Sequence, residues 1–146
     1  MAEYKTPLNA AGIKAYNVPG LGEKLSSLLH ISSAIVLPPN ARTVVTSGIT
    51  GYDSSMNLPT DLTEEVMNAF NSVEASLAAA GVKGGLQSVY KLTTYHTSLE
   101  DDAMEALSAA VEKFFGENRP AWAGVGVGSL YGGARIEIVA EAVLLE

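Results

Sequence analysis

Glu137 stands in the run Arg135-Ile136-Glu137-Ile138-Val139-Ala140, a carboxylate alternating with branched apolar residues. On a β-strand such alternation puts Glu137 on the face opposite its isoleucine neighbours. Two roles are open to it there. It can be a general acid/base or water-positioning group, or an interface carboxylate paired with Arg135 of its own or a neighbouring chain. Trp122, the sole tryptophan, follows Pro120-Ala121. It reads either as core packing or as the flat wall of a cleft, stacking on a ring or an acyl chain. Ser47, just before Gly48, has no histidine or aspartate at an interpretable position to activate it, so it reads as a hydrogen-bonding group rather than a nucleophile.

The remaining candidates narrow the chemistry further. There is no cysteine, which excludes disulfides, thiolate metal sites and cysteine nucleophiles. His30 and His96 lie far apart and match no metal-ligand spacing, so no metal and no cofactor is expected. His96, at a strand end, reads as a structural histidine. Gly124, Gly126 and Gly128 alternate, but no helix follows them, so they are not a phosphate loop. On a strand they share one face, where a missing side chain lets another backbone or a ligand approach. The formal net charge is −7, with nine Lys and Arg scattered along the chain. That disfavours a nucleic-acid partner.

Several elements must position these groups. The 146 residues suffice for one core. Residues 1–30 are rich in turn formers (Pro7, Gly12, Pro19, Gly20, Gly22) and read as an arm with a short amphipathic turn through residues 23–29. Residues 31–146 read as a single domain. Ala34-Ile35-Val36-Leu37 and residues 42–47 are strand-like, and Gly48 and Gly51 allow sharp backbone geometry. A helix is expected from Thr60-Asp61 to Ala80, with Leu62, Val66, Phe70, Val73 and Leu77 on one face and Gly81 as its stop. Residues 88–97 read as a strand, and about 99–115 as a second helix ended by Gly116. Two strands close the chain. In the last, Ala134, Ile136, Ile138, Ala140, Ala142 and Leu144 should pack on the helices. Arg135, Glu137, Val139, Glu141 and Val143 form a mixed second face, either solvated or buried against another subunit. The expected order is β-β-α-β-α-β-β, an α+β sandwich with a mostly antiparallel sheet and both helices on one side. No apolar run reaches the roughly 20 residues of a membrane helix, and the N-terminus lacks a secretory core. A soluble, cytoplasmic protein is expected.

Taken in order, Thr46-Ser47-Gly48, Val89-Tyr90-Lys91-Leu92-Thr93-Thr94, Phe114-Phe115, Pro120-Ala121 and Ile136-Glu137-Ile138 resemble the YjgF/RidA (Rid) family over about residues 30–145. Members of that family are best known as enamine/imine deaminases. The segment 15–23, the Tyr95-His96 pair and the tryptophan after Pro-Ala look like a fungal branch of it. The resemblance implies a chorismate-mutase-like fold and a homotrimer, with a small-molecule cleft at each subunit interface. Ser47 and Gly48 keep the family's Ser-Gly element. Glu137 keeps the glutamate that positions the attacking water. Trp122 replaces the arginine that grips the substrate carboxylate, Ile31 stands where a tyrosine is usual, and Ile49 where a glutamine is common. His30 lies beside the implied cleft, and Arg135 is a candidate donor of charge to it. Three polar positions turned apolar imply a ligand larger and less polar than a 2-imino acid, handled by a divergent hydrolase- or deaminase-like enzyme. A housekeeping imine deaminase and a non-catalytic binding or chaperone-like trimer are the alternatives.

Overall fold

The computed structural model describes residues 2–145. Seven strands and three α-helices follow one another: β1 (Ala2–Tyr4), β2 (Lys14–Asn17), α1 (Leu21–Leu29), β3 (Ala34–Val36), β4 (Arg42–Val45), α2 (Leu62–Ala79), β5 (Val89–His96), α3 (Asp101–Phe114), β6 (Ala121–Gly126) and β7 (Ile136–Leu144). The α+β class holds. The main sheet has the order β4-β7-β5-β6, antiparallel at β4–β7 and β5–β7 and parallel at β5–β6.

The two long helices form where the apolar spacing requires them. Asp61 caps α2 by accepting from the Glu64 amide at 2.9 Å, with Glu64 and Glu65 in the first turn. Val66, Ala69, Phe70, Val73 and Leu77 of α2 meet Ala106, Leu107, Ala110 and Phe114 of α3 in one core. Ile136, Ile138, Ala140 and Ala142 of β7 close that core from the sheet. The strand's alternation therefore sorts its residues as expected, with Glu137, Val139 and Glu141 half-buried on the outer face.

Two features differ from the sequence expectation. Residues 2–29 carry strands β1 and β2 and helix α1, and β3 pairs with β2 rather than with the main sheet. A cap explains the first turn of this segment: the Thr6 hydroxyl accepts from the Leu8 amide and the Asn9 side chain accepts from the Thr6 amide. Leu8 and Ile13 then pack with Tyr90 and Val143 in a second, smaller core on the outer face. The other difference is Arg135. It precedes β7 and does not join Glu137 on the outer face. Its Nε donates to Glu65 Oε1 at 2.7 Å, its amide to Glu65 Oε2 at 2.7 Å, and its Nη2 to the Pro59 and Thr60 carbonyls at 3.1 Å.

Candidate functional site

Cross-strand register divides the candidate residues between the two faces of the sheet. In the parallel β5–β6 pair, Leu92 lies opposite Trp122 and Thr94 opposite Gly124. In the antiparallel β5–β7 pair, Thr94 lies opposite Ile138 and Tyr95 opposite Glu137. Paired residues point the same way. Trp122, Gly124, Thr94 and His96 thus face the helices, and Glu137 faces away from them.

On the helix side is a cleft of about 670 Å³, within the usual range for small-molecule sites. One wall is the end of α1 and the residues after it, Ser27 to Ile31. The other comes from α3, including Met104, Ser108 and Val111, and the floor from Thr94, His96, Trp122 and Gly124. The α1 wall is tied to the start of β6. Arg119 Nη1 donates to Ser26 Oγ at 2.9 Å, its guanidinium stacks on Tyr4 at 4.2 Å, and the Ser32 hydroxyl and amide donate to the Arg119 and Pro120 carbonyls. His30 caps α1 in the left-handed conformation, at φ 57°. Ile31 follows it into the cleft wall.

Trp122 belongs to both core and cleft. One side of the indole stacks on Phe115, with centroids 5.4 Å apart, and the ring also borders the cavity. Its Nε1 donates to Thr94 Oγ1 at 3.0 Å, and Thr94 Oγ1 lies 2.7 Å from His96 Nε2. Indole N–H is donor only, so it uses one Thr94 lone pair. The Thr94 hydroxyl and His96 Nε2 share the second contact, its direction set by the His96 tautomer. Burial pushes His96 below the ordinary histidine range. His30 is lowered as well, by burial first and by the Arg119 charge second. Sequence reasoning passes over Thr94 and treats His96 as structural. The one sequence signal is the spacing of two polar residues, at 94 and 96, on the buried face of an apolar strand.

The second group of candidates lies across the sheet. Residues 46–49 continue the pairing of β4 with β7: the Thr46 amide donates to the Ala140 carbonyl, and Ile49 and Ile138 exchange backbone bonds of 2.9 and 2.8 Å. This turns Ile49 onto the main core and Gly48 onto Glu137. A Cβ at Gly48 would come 2.7 Å from Glu137 Cδ, so only glycine leaves that carboxylate its place. Ser47 is exposed beside them. The structure therefore brings His30, Ile31 and Trp122 together in the cleft, and Gly48 and Glu137 together on the opposite face. Arg135 is engaged by Glu65. Among the described residues no group of three His, Asp or Glu gathers in a metal-binding arrangement, and no helix is long and apolar enough to cross a membrane.

Comparison with known proteins gives a consistent family. The family model described as Endoribonuclease L-PSP matches residues 23–144. Escherichia coli YjgF is 29% identical, with a TM-score of 0.63 over 73% of this chain and 84% of that one. RidA from an Antarctic Psychrobacter is 27% identical, with a TM-score of 0.64 over 89% and 94%. A Rid-family protein of unknown function from Yersinia pestis, YyfB, is 23% identical and shares the fold with a TM-score of 0.76 over 90% and 98%. No curated protein matches the sequence.

Proposed function

The chain belongs to the Endoribonuclease L-PSP family, that of YjgF and RidA, and from that premise we propose that it is a homotrimeric small-molecule enzyme of the Rid type, hydrolysing an imine larger and less polar than a 2-imino acid. The observation that carries this is the division of the site. The cleft with Trp122 lies on one face of the sheet, and the Gly48–Glu137 pair on the other. A site combining both needs a second copy, which brings its Glu137 face to the cleft mouth. Glu137 then holds the water that adds to the imine carbon, and the amine leaves as the carbonyl forms.

The missing arginine sets the substrate. An indole cannot replace a bidentate, charge-assisted grip on a carboxylate. Its loss in a partly desolvated site costs roughly 2–5 kcal/mol, about 30- to several-thousand-fold in rate. The housekeeping imine-deaminase reading is disfavoured on this ground. The ribonuclease named in the family description is disfavoured too, because the cleft lining includes Glu112 and no lysine or arginine, and the formal net charge of the chain is −7. Two measurements test the proposal together. Light scattering at micromolar concentration should give the mass of three chains. An amino-acid oxidase generating 2-iminopropanoate in situ should reveal hydrolysis far slower than that of an arginine-bearing relative. A one- or two-chain mass, or equal hydrolysis, refutes the reading.

The absence of a paired nucleophile and base within the cleft favours a second reading, a binding trimer without turnover. Glu137→Gln separates the two. In an enzyme it abolishes turnover and leaves ligand affinity in place.

A further inference from the structure

The charges around the cleft are lopsided. Its lining includes one carboxylate, Glu112, and neither lysine nor arginine. Of the cations near these elements in sequence, Arg119 is engaged by Ser26 and Tyr4 and Lys113 lies over the Phe114 ring at 5.2 Å, while Lys24 of α1 lies outside the lining. Both histidines in the lining are pushed toward the neutral form, chiefly by burial. The lining itself offers an anionic ligand no lysine or arginine, and burying an anion unpaired is costly.

The indole supplies the other half of the argument. Its N–H edge is used by Thr94 and one face by Phe115. The ring also borders the cavity, and the surface it offers there is what these two contacts leave free. Tryptophan faces carry the strongest attraction of any side-chain ring for a cation. Thr94, fully buried and itself held by His96, fixes the ring in that attitude. Gly124 leaves the space beside it open. A Cβ there would lie 3.8 Å from Thr94 Oγ1 and 4.0 Å from His96 Nε2, in ordinary contact.

We propose that the cleft takes an organic cation with an apolar body, a protonated amine or iminium ion held between the Trp122 face and the Glu112 carboxylate. This rests on the cleft being the ligand site of the function proposed above, but not on the trimer or on Glu137. It narrows the substrate to iminium ions without a carboxylate. The reaction balances with water alone: one N-substituted iminium ion and one water give one ketone or aldehyde and one primary ammonium ion. The C=N bond is replaced by C=O, both water hydrogens end on nitrogen, and the positive charge leaves with the amine.

Three probes of similar shape, none with a C=N bond, test the inference without turnover: 2-phenylethylammonium, 2-phenylethanol and 3-phenylpropanoate. Binding is read from the indole N–H resonance and the emission of Trp122, the sole tryptophan. The ammonium should bind roughly tenfold tighter than the alcohol, and the carboxylate weaker still. Glu112→Gln, an exposed position, should erase most of the ammonium's advantage over the alcohol. Gly124→Ala fits without a clash and should weaken both by partly filling the cleft. Equal affinity for ammonium and carboxylate, or an ammonium preference untouched by Glu112→Gln, overturns the inference even if imine turnover and the trimer stand. The expected binding order in a protein with no turnover would sink the enzyme reading and leave this one.

Discussion

Arg135→Ala should cost close to a third of a typical small domain's stability. Glu65 is 1% exposed, and its carboxylate accepts from the Arg135 Nε and amide, both at 2.7 Å, while the guanidinium is further anchored on the Pro59 and Thr60 carbonyls. Truncation leaves the Arg135 amide on Glu65 but removes the cation from a buried carboxylate. Breaking a buried pair in this way costs about 3–5 kcal/mol. Arg135 is itself 38% exposed at its side chain, so water can reach part of the gap and the lower end applies, about 3 kcal/mol. Against a total of roughly 5–15 kcal/mol this is a large loss. With a urea slope of roughly 2 kcal/mol per molar, the midpoint should fall by about 1.5 M. The double replacement Glu65→Leu with Arg135→Met should recover most of that loss, because no charge is then left buried. A midpoint shift below about 0.5 M for Arg135→Ala would refute the reasoning. A double replacement no more stable than the single one would refute it as well.

Other outcomes follow from the same geometry. Val139→Asp, half-buried on the outer face of β7, should dissociate the proposed trimer, since burying an unpaired charge there costs several kcal/mol; an unchanged light-scattering mass would leave that face outside the interface. Stability should fall as pH drops below about 6.5, where the unfolded chain protonates its histidines. His96 has its folded value depressed by burial; its contribution is complete above the unfolded value and is lost as pH falls toward the folded one, by at most about 1.4 kcal/mol per pH unit. His96→Gln should flatten the urea midpoint between pH 7.5 and 5.5, and equal slopes in the two proteins would remove His96 as the cause. Gly48→Ala should displace the Glu137 carboxylate, which a Cβ would approach to 2.7 Å, and abolish turnover with cleft binding retained; full activity would exclude Glu137 from the chemistry.

Periodicity makes the two-helix side of the fold legible. Leu62, Val66, Phe70, Val73 and Leu77 recur at helical spacing, and Ile136, Ile138, Ala140 and Ala142 alternate, so each face has one place to go. The resemblance to known sequences joins Gly48 to Glu137, which periodicity cannot, because that contact depends on how residues 46–49 bend along β7. Extending strand alternation one residue too far misplaces Arg135. A short turn at Tyr131–Gly133 precedes β7, which begins at Ile136. Glu65 holds the missing signal: it sits three residues after Leu62 and four before Ala69, on the apolar stripe of α2, where a carboxylate requires a partner. The elements of residues 2–29 are hidden because β1 and β2 are three and four residues long, too short for a pattern to emerge. The Thr94–His96 pair looks incidental in sequence because its role depends on Trp122, 28 residues away.

The order of the main sheet also bears on how the protein can be made. Its last strand in the chain, β7, is an interior strand, flanked by β4 and β5. During synthesis β4, α2, β5, α3 and β6 all leave the ribosome before the strand that joins β4 to β5 exists. Until then β4 has no partner in this sheet, and the inward faces of α2 and α3 lack the isoleucines and alanines that cover them. Folding of the core therefore waits for β7, and until that strand is made the nascent chain presents apolar surface and unpaired strand edges. A chain that lacks Ile136–Leu144 loses the seam between β4 and β5.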